Sequence, residues 1–162
     1  MGELLTPDKV QPGILYVDTR EPPQFFRILS EYCSVPIEVR MLQCGDFIFE
    51  DVVFERKEIH DFVGSIIPKE GKDKGRIFAQ EERMLGSFPH RYIFVHQSLE
   101  EYSGNVHPHA ILGALARLLV DDVKVCFGIS NEEEFCYLLL KVLEKLGKLK
   151  VIPPKKKRSE KI

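Results

Sequence analysis

The sequence of 162 residues lacks several features that would place it in a special class of proteins. It has no apolar run near the roughly 18–20 residues that a membrane-spanning helix needs. Its first residues, Met1-Gly2-Glu3, lack the basic region that begins a signal peptide. Its four cysteines include no CxxC pair, which argues against a zinc ribbon or a redox motif and fits an intracellular, reduced environment. The formal net charge is only −2, so any grip on nucleic acid must come from a local basic patch.

The remaining composition is that of an ordinary globular domain. Apolar residues make up 44% and charged residues 30% of the chain, and 162 residues are enough to bury one core. We expect the domain to cover residues 13–148. Residues 1–12 are polar and include Pro7 and Pro12, which predicts a flexible N-terminal arm, and residues 149–162 form a basic tail that is predicted to be disordered.

Predicted strands and helices alternate along the chain, which is typical of an α/β sheet covered by helices on both faces. Short apolar runs predict the strands, and apolar residues three and four positions apart predict the helices. The predicted strands cover residues 14–18, 36–42, 47–49, 52–54, 92–95 and 123–127. The first predicted helix begins at Pro22-Pro23, and the others cover residues 59–66, 76–85, 110–120 and 131–146.

Glu55 and Lys57 lie at the end of the second strand of a predicted hairpin. If the turn is centred on Glu50-Asp51, Asp46 lies directly opposite Glu55, with Cβ atoms about 4.5–5.5 Å apart. Side chains alternate along a strand, so Asp46, Glu55 and Lys57 share one face. A shift of one residue in the register would separate them.

Two carboxylates and one amine in this arrangement indicate a metal-dependent hydrolytic site. The carboxylates of Asp46 and Glu55 repel each other unless a cation lies between them, and their oxygens suit Mg²⁺ or Mn²⁺. Such an ion can activate water and polarise a phosphoryl oxygen, while Lys57 positions the water or neutralises charge on the phosphate. Asp18, at the end of the first strand, is a candidate third acidic ligand, and Asp61 is near enough in sequence to orient Lys57.

Several basic residues are candidates for contacts with nucleic-acid phosphates. Arg20 and Arg56 lie next to the acidic residues in the sequence, and the segment 68–75 is a charged loop before a predicted helix. We expect this loop and the residue after it to bind DNA through Lys69, Lys72, Lys74 and Arg76. The basic run at residues 155–158 has three interpretations: a nuclear localisation signal, a phosphate-contacting tail or a solvated end.

The same charges allow a structural interpretation, in which Asp46, Glu55, Lys57 and Asp61 form ion pairs on the surface. Their position at the end of an apolar strand favours the catalytic interpretation, because surface ion pairs usually lie on helices and loops. The sequence His107-Pro108-His109 is interpreted as a polar loop before a helix, since no third metal ligand is evident.

Two predicted helices, 110–120 and 135–146, are apolar over more than one stripe. Deep burial and a dimer face explain this width equally well. We adopt a homodimer as the hypothesis.

Three ordered motifs resemble the nuclease domain of the XPF family of structure-specific DNA endonucleases. The family pattern is a strand ending in Val-Asp-x-Arg-Glu, then Gly-Asp-Tyr, then Glu-Arg-Lys-x-x-x-Asp. The chain has Val17-Asp18-Thr19-Arg20-Glu21, then Gly45-Asp46-Phe47, then Glu55-Arg56-Lys57 followed by Asp61. The family's Gly-Arg-Leu-x-x-Gln is matched by residues 75–80, and the resemblance covers residues 14–147.

The resemblance implies a restriction-endonuclease-like core, with a central mixed β-sheet flanked by helices on both faces. It implies cleavage of branched DNA, such as 3′ flaps and forks, in DNA repair or recombination with Mg²⁺ or Mn²⁺. Asp46 and Glu55 would be the main metal ligands with Asp18 assisting, and Lys57 would act on the attacking water. The supporting active-site residues would be Arg20, Arg56 and Asp61. The expected location is the cytoplasm of a prokaryote or the nucleus of a eukaryote.

The resemblance also sets expectations about partners and alternatives. Relatives often dimerise through this domain, so we expect a homodimer, or a heterodimer with a related subunit, and no membrane partner. One alternative is a catalytically silent DNA-binding scaffold subunit of a nuclease heterodimer, and the retained acidic residues argue against it. Another is a junction-resolving or restriction-type nuclease, which Arg56 between Glu55 and Lys57 disfavours.

The chain departs from the family pattern at three points. Relatives usually carry a tandem helix-hairpin-helix domain after the nuclease, so we expect either a stand-alone nuclease or a fragment. Phe47 replaces the usual Tyr, and His96 stands where relatives often have Glu.

Overall fold

Six strands form one sheet in the structure, a computed structural model that describes residues 3–153. The strands are β1 (Leu15–Asp18), β2 (Ile37–Arg40), β3 (Phe47–Phe49), β4 (Val52–Glu58), β5 (His90–His96) and β6 (Lys124–Ile129). Their order across the sheet is β2-β1-β3-β4-β5-β6. Strand β3 runs antiparallel to both β1 and β4, whereas the other neighbouring strands are parallel, so the predicted mixed sheet is confirmed. The basic run at residues 155–158 lies outside the described residues.

Five α-helices of the described chain cover the two faces of this sheet. They are α1 (Gln24–Tyr32), α2 (Ile59–Ile66), α3 (Arg76–Ser87), α4 (Pro108–Val120) and α5 (Glu132–Lys145). Helices α2, α3 and α4 pack on one face with Val53, and helices α1 and α5 pack on the other with Val52 and Phe54. Because side chains alternate along β4, neighbouring residues enter two different cores. The predicted α/β fold with helices on both faces is confirmed.

Two helix starts show how local hydrogen bonds set the boundaries. Asn131 Oδ1 accepts a hydrogen bond from the backbone N–H of Glu134 at 2.8 Å and caps α5, as a residue of this type does at a helix start. Helix α4 begins at Pro108, earlier than predicted, because proline is favoured in the first turn and His107 Nδ1 accepts a bond from the N–H of His109 at 3.0 Å. His107 therefore caps a helix.

The structure differs from the predicted flexible arm at Leu5. Leu5 is buried and bridges to Leu42, and its N–H donates to the carbonyl of Met41 at 2.8 Å. The apolar side chain of Leu5 and its two backbone hydrogen bonds, with the carbonyl of Met41 and the N–H of Gln43, explain this contact. At the other end, Val151 packs against the core formed by α1 and α5. Among residues 3–153, no helix is long and apolar enough to cross a membrane.

Candidate active site

The hairpin of β3 and β4 brings Asp46 beside Glu55 in the predicted register. Ile48 is paired with Val53 across the hairpin, as expected for a turn at Glu50-Asp51. Just before β3, the N–H of Asp46 donates to the carbonyl of Phe54 at 2.8 Å, and Asp46 Oδ2 accepts from the N–H of Arg56 at 2.8 Å. Asp46 is thus tied to the backbone on both sides of Glu55.

Gly45 is required for this position of Asp46. Its φ of +75° lies in the left-handed region, which residues other than glycine rarely adopt. A Cβ at this position would lie 2.3 Å from Cγ2 of Val53, so the space is also closed to a side chain. The Gly-Asp pair of the sequence motif therefore has a direct backbone explanation.

Glu55 and Lys57 project from β4 on the same side as Val53, with only 7% and 8% of their surfaces exposed. Burial and the nearby Glu55 carboxylate raise the pKa of Asp46 well above its usual range, while the charge of Lys57 opposes this rise. Among residues 3–153, Lys57 forms no ion pair. Two acidic groups and one unpaired ammonium group therefore share one partly dry site.

Asp18, at the carboxyl end of β1, is held by the loop that follows it. Asp18 Oδ1 accepts from Arg20 Nε at 2.8 Å, and Oδ2 accepts from Arg20 Nη2 at 2.7 Å and from the N–H of Leu42 at 3.0 Å. Burial disfavours the charged form of Asp18, but these hydrogen bonds outweigh it and hold its pKa below the usual range. The neighbouring carboxylate raises the pKa of Arg20 in turn.

The acidic cluster is a pair in this structure. Within residues 3–153, no group of three or more His, Cys, Asp or Glu side chains is arranged to hold a metal ion. Asp46 and Glu55 remain as adjacent carboxylates, and the oxygens of Asp18 face Arg20 instead. The side chain of Arg20 is itself 70% exposed, so its guanidinium keeps an open face beside the pair.

Arg56 lies on the opposite side of β4 from Glu55 and Lys57. Its Nε and Nη2 each donate to one oxygen of Glu21 at 2.9 Å, and its guanidinium lies 4.9 Å from the centre of the Phe25 ring. Burial raises the pKa of Glu21 against the opposing effect of Arg56. The side chain of Arg56 therefore connects β4 to the loop after β1.

Asp61 and the predicted DNA-binding residues form no side-chain hydrogen bond or ion pair with Asp46 or Glu55 among residues 3–153. Asp61 is exposed in the first turn of α2 and makes no ion pair with Lys57 among residues 3–153. Lys69, Lys72, Lys74 and Arg76 are all exposed, and Lys74 pairs with Glu82.

His96, at the end of β5, lies on the same side of the sheet as Arg56. Its ring centre lies 5.8 Å from that of Phe135, and its buried Nε2 has no hydrogen-bond partner among residues 3–153. Burial and the charge of Arg56 lower its pKa. His96 is therefore separated from the carboxylate pair by the sheet.

An open cleft of about 420 Å³ exposes the carboxylate pair. Sequence reasoning assigned no role to two of the lining residues, Gln80 and Arg83, which lie three residues apart on α3. Their helical spacing was a usable signal, since residues three apart share a helix face. The lining residues are Leu4, Arg20, Met41, Leu42, Gln43, Gly45, Asp46, Glu55, Gln80 and Arg83.

Comparisons with known proteins identify sequence relatives of this chain. A family model described as the ERCC4 domain matches residues 17–142. A putative ATP-dependent RNA helicase from Methanocaldococcus jannaschii is 34% identical over 141 residues, which cover 83% of this chain but only 16% of that protein. The chain therefore spans less than a fifth of this curated relative.

Two solved structures share the fold. XPF from Aeropyrum pernix superposes with a TM-score of 0.61 at 22% identity, covering 83% of this chain and 64% of that chain. The same protein in complex with DNA gives a TM-score of 0.62 at 23% identity, covering 85% of this chain and 65% of that one.

Proposed function

This chain belongs to the ERCC4 domain family of XPF-type nucleases, and we propose that it is a metal-dependent endonuclease that hydrolyses phosphodiester bonds in branched DNA, such as 3′ flaps and forks. The observation that carries the proposal is the group of buried Glu55, buried Lys57 and half-buried Asp46 beside an open cleft with Arg20 on its wall. A role in DNA repair or recombination is part of the proposal.

The carboxylate pair fits Mg²⁺ or Mn²⁺ as the cofactor. Burial and the neighbouring Glu55 raise the pKa of Asp46, and a divalent cation between the two side chains would stabilise the charged form of Asp46. Their hard oxygen donors match these ions, which are often held by one or two carboxylates together with substrate phosphates. When bound, the ion would supply Lewis acidity toward water and a phosphoryl oxygen.

The remaining residues act on the substrate and the attacking water. Lys57 is buried on the same side of β4 as Glu55 and forms no ion pair among residues 3–153, so it positions the water or neutralises charge that grows on the phosphate. Arg20 presents its exposed guanidinium to a phosphate oxygen, and Asp18 fixes its orientation through two hydrogen bonds. We assign Asp18 as a positioning residue, because its oxygens already accept bonds from Arg20 and from the backbone.

Arg56 and Asp61 support the site from a distance. Through Glu21, Arg56 holds the loop that carries Arg20. Asp61 contributes negative charge at the start of α2, where the helix dipole favours it. Arg83, on the cleft wall, is a further candidate for a phosphate contact.

We also propose that the chain forms a dimer through α4. Helix α5 buries Phe135, Leu139 and Leu143, so its apolar width is explained by the core. Helix α4 instead leaves Leu112 and Leu119 exposed at 55% and 59%, and large exposed apolar patches mark interaction sites.

Sedimentation at micromolar concentration tests the dimer. We expect a dimer for the unchanged chain and a monomer for Leu119→Glu, since a buried charge disfavours an apolar interface. Leu85→Glu on α3 is the matched control, because Leu85 is exposed but lies outside α4. A monomeric unchanged chain would contradict this part of the proposal.

Cleavage of a labelled substrate panel tests the activity. The panel contains a 3′ flap, a fork, a four-way junction and plain duplex, each with Mg²⁺, Mn²⁺ or a chelator. We expect metal-dependent cutting of the flap and the fork and little cutting of the duplex. Binding without cutting under all conditions would indicate the silent scaffold instead, and preferred cutting of the four-way junction would indicate a junction-resolving enzyme.

A further inference from the structure

Gln80 has an unusual side-chain environment that the proposed mechanism does not yet use. It lies on α3 and lines the same cleft as Asp46 and Glu55. Its Oε1 atom is buried and has no hydrogen-bond donor among residues 3–153. A buried acceptor without a partner destabilises the folded protein, so such atoms usually have a bound water or ion as partner.

The position of Gln80 is fixed by the start of its helix. A Cβ at Gly75 would lie 2.3 Å from the carbonyl oxygen of Ile66, so the chain before α3 packs tightly on the end of α2. Within α3, Ile77 and Met84 are fully buried and hold the helix on the core. The amide of Gln80 therefore projects from a rigid element, which is the arrangement that precise ligand sites need.

Arg20 and Arg83 line the same cleft, but neither donates a hydrogen bond to Oε1 of Gln80 among residues 3–153. Asp46 and Glu55 carry only acceptor oxygens when they are ionised. A cation between them would attract a further oxygen ligand, and a neutral amide adds an oxygen without adding a third negative charge.

We propose that Oε1 of Gln80 is a third protein oxygen ligand of the divalent cation held by Asp46 and Glu55. This inference rests on the proposed function, since it concerns the same cation site. The cation would then have two acidic ligands, Glu55 on β4 and Asp46 just before β3, and one neutral ligand, Gln80 on α3.

Titration with Mn²⁺ alone, followed by the loss of the free-ion electron paramagnetic resonance signal, tests the inference without any cleavage assay. The central variant is Gln80→Leu, which removes the unpaired acceptor and keeps the bulk of the side chain. The matched control is Gln43→Leu, because Gln43 lines the same cleft but is exposed. Glu55→Gln reports on the cation site itself.

We expect the Mn²⁺ affinity of Gln80→Leu to fall about tenfold or more, because even outer-shell changes at metal sites cost 10–100-fold. The Mn²⁺ affinity of Gln43→Leu should stay within about twofold of that of the unchanged chain, because Gln43 is not a proposed ligand and the losses typical of metal-site changes do not apply to it. Without Mn²⁺, Gln80→Leu should melt at the same or a higher temperature, since removing an unpaired buried acceptor is nearly neutral or stabilising.

Gln80→Glu provides a second variant that keeps an oxygen at this position. We expect it to bind Mn²⁺ at least as tightly as the unchanged chain and to be less stable in metal-free buffer, where three carboxylates would repel one another. Weaker Mn²⁺ binding by this variant would count against a ligand role for the oxygen.

Two failures can be told apart. If Gln80→Leu binds Mn²⁺ like the unchanged chain while Glu55→Gln loses binding, the inference is overturned and the proposed cation site stands. If Glu55→Gln also binds Mn²⁺ like the unchanged chain, the cation site of the proposed function is overturned as well.

Discussion

Asp18 and Asp46 show how two identical side chains acquire opposite properties from their neighbours. Asp18 accepts charged hydrogen bonds from Arg20, which outweigh its burial and lower its pKa. Partial burial and the neighbouring Glu55 raise the pKa of Asp46, and the one backbone hydrogen bond that its side chain accepts among residues 3–153 does not outweigh them. The same residue type thus serves as an anchor for an arginine in one position and as a candidate metal ligand in the other.

Asp46→Asn separates a catalytic role from a structural one. The raised pKa means that Asp46 contributes stability that is present below its usual pKa and is lost as the pH rises through the folded-state pKa. Near neutral pH in metal-free buffer, we therefore expect Asp46→Asn to melt at the same or a higher temperature than the unchanged chain. Its stabilisation by Mg²⁺ or Mn²⁺ should be lost, since ligands that bind only the native state raise stability.

Thermal melting with and without the metal measures both effects. Asp18→Asn is the contrasting control, because its carboxylate holds Arg20 and its removal should lower stability in either buffer. A marked destabilisation of metal-free Asp46→Asn would support the ion-pair network as the role of Asp46.

Gly45→Ala tests the backbone explanation of the Gly-Asp motif. A left-handed conformation costs a non-glycine residue about 1–2 kcal/mol, and the contact of the new Cβ with Val53 adds an overpacking cost of about 1–3 kcal/mol. Gly13→Ala is the matched control, because Gly13 has a similar φ of +78° but nothing within 4 Å of its Cβ position. Urea unfolding should show a larger loss at Gly45, and equal losses would exclude the steric contribution.

At the scale of elements, the β3–β4 hairpin was the most predictable part of the site. Alternation and the centre of the turn fix which residues face each other, so Asp46 beside Glu55 followed from the sequence alone. The same alternation implies that Arg56 points away from Glu55, toward Glu21. A contact of Arg56 with DNA phosphates stays a prediction, because its guanidinium bonds to Glu21 in this structure.

The contribution of α3 could not be predicted from local patterns. Helical spacing shows that Gln80 and Arg83 share a face, but not that this face lines the cleft. The orientation depends on how α3 docks against α2, and that docking involves the close approach of Gly75 to the carbonyl of Ile66. Local patterns also could not predict that the carboxylate of Asp18 is occupied by hydrogen bonds, because one donor, the N–H of Leu42, comes from another part of the chain.

The loop between α2 and α3 is the element that we expect to bind the DNA backbone. Replacing Lys69, Lys72 and Lys74 with Ala should weaken binding of every DNA substrate and reduce the slope of log affinity against log salt by up to about 3, since each lost phosphate contact contributes about 0.9. Replacing Lys9, Lys124 and Lys145 is the control with the same change of charge. An unchanged slope would remove the loop from the contact surface.

At the scale of the whole molecule, the sheet places the candidate site residues at one end of its central strands. Strands β1 and β4 run in the same direction, with antiparallel β3 between them, so their carboxyl ends and the start of β3 meet. Open α/β sheets bind ligands outside the carboxyl ends of their strands. Asp18, Asp46 and Lys57 lie at these strand ends although they are distant in sequence.

The central claim is that Asp46 and Glu55 form the hydrolytic centre, and single-turnover cleavage of a labelled 3′ flap with Mg²⁺ or Mn²⁺ tests it most directly. We expect Glu55→Gln to lose about 10²–10³-fold or more in rate, the size of effect that follows removal of one group that stabilises transition-state charge. Glu58→Gln is the control from the same strand, because Glu58 caps α2 and lies outside the cleft. Equal rates for Glu55→Gln and the unchanged chain would contradict the account.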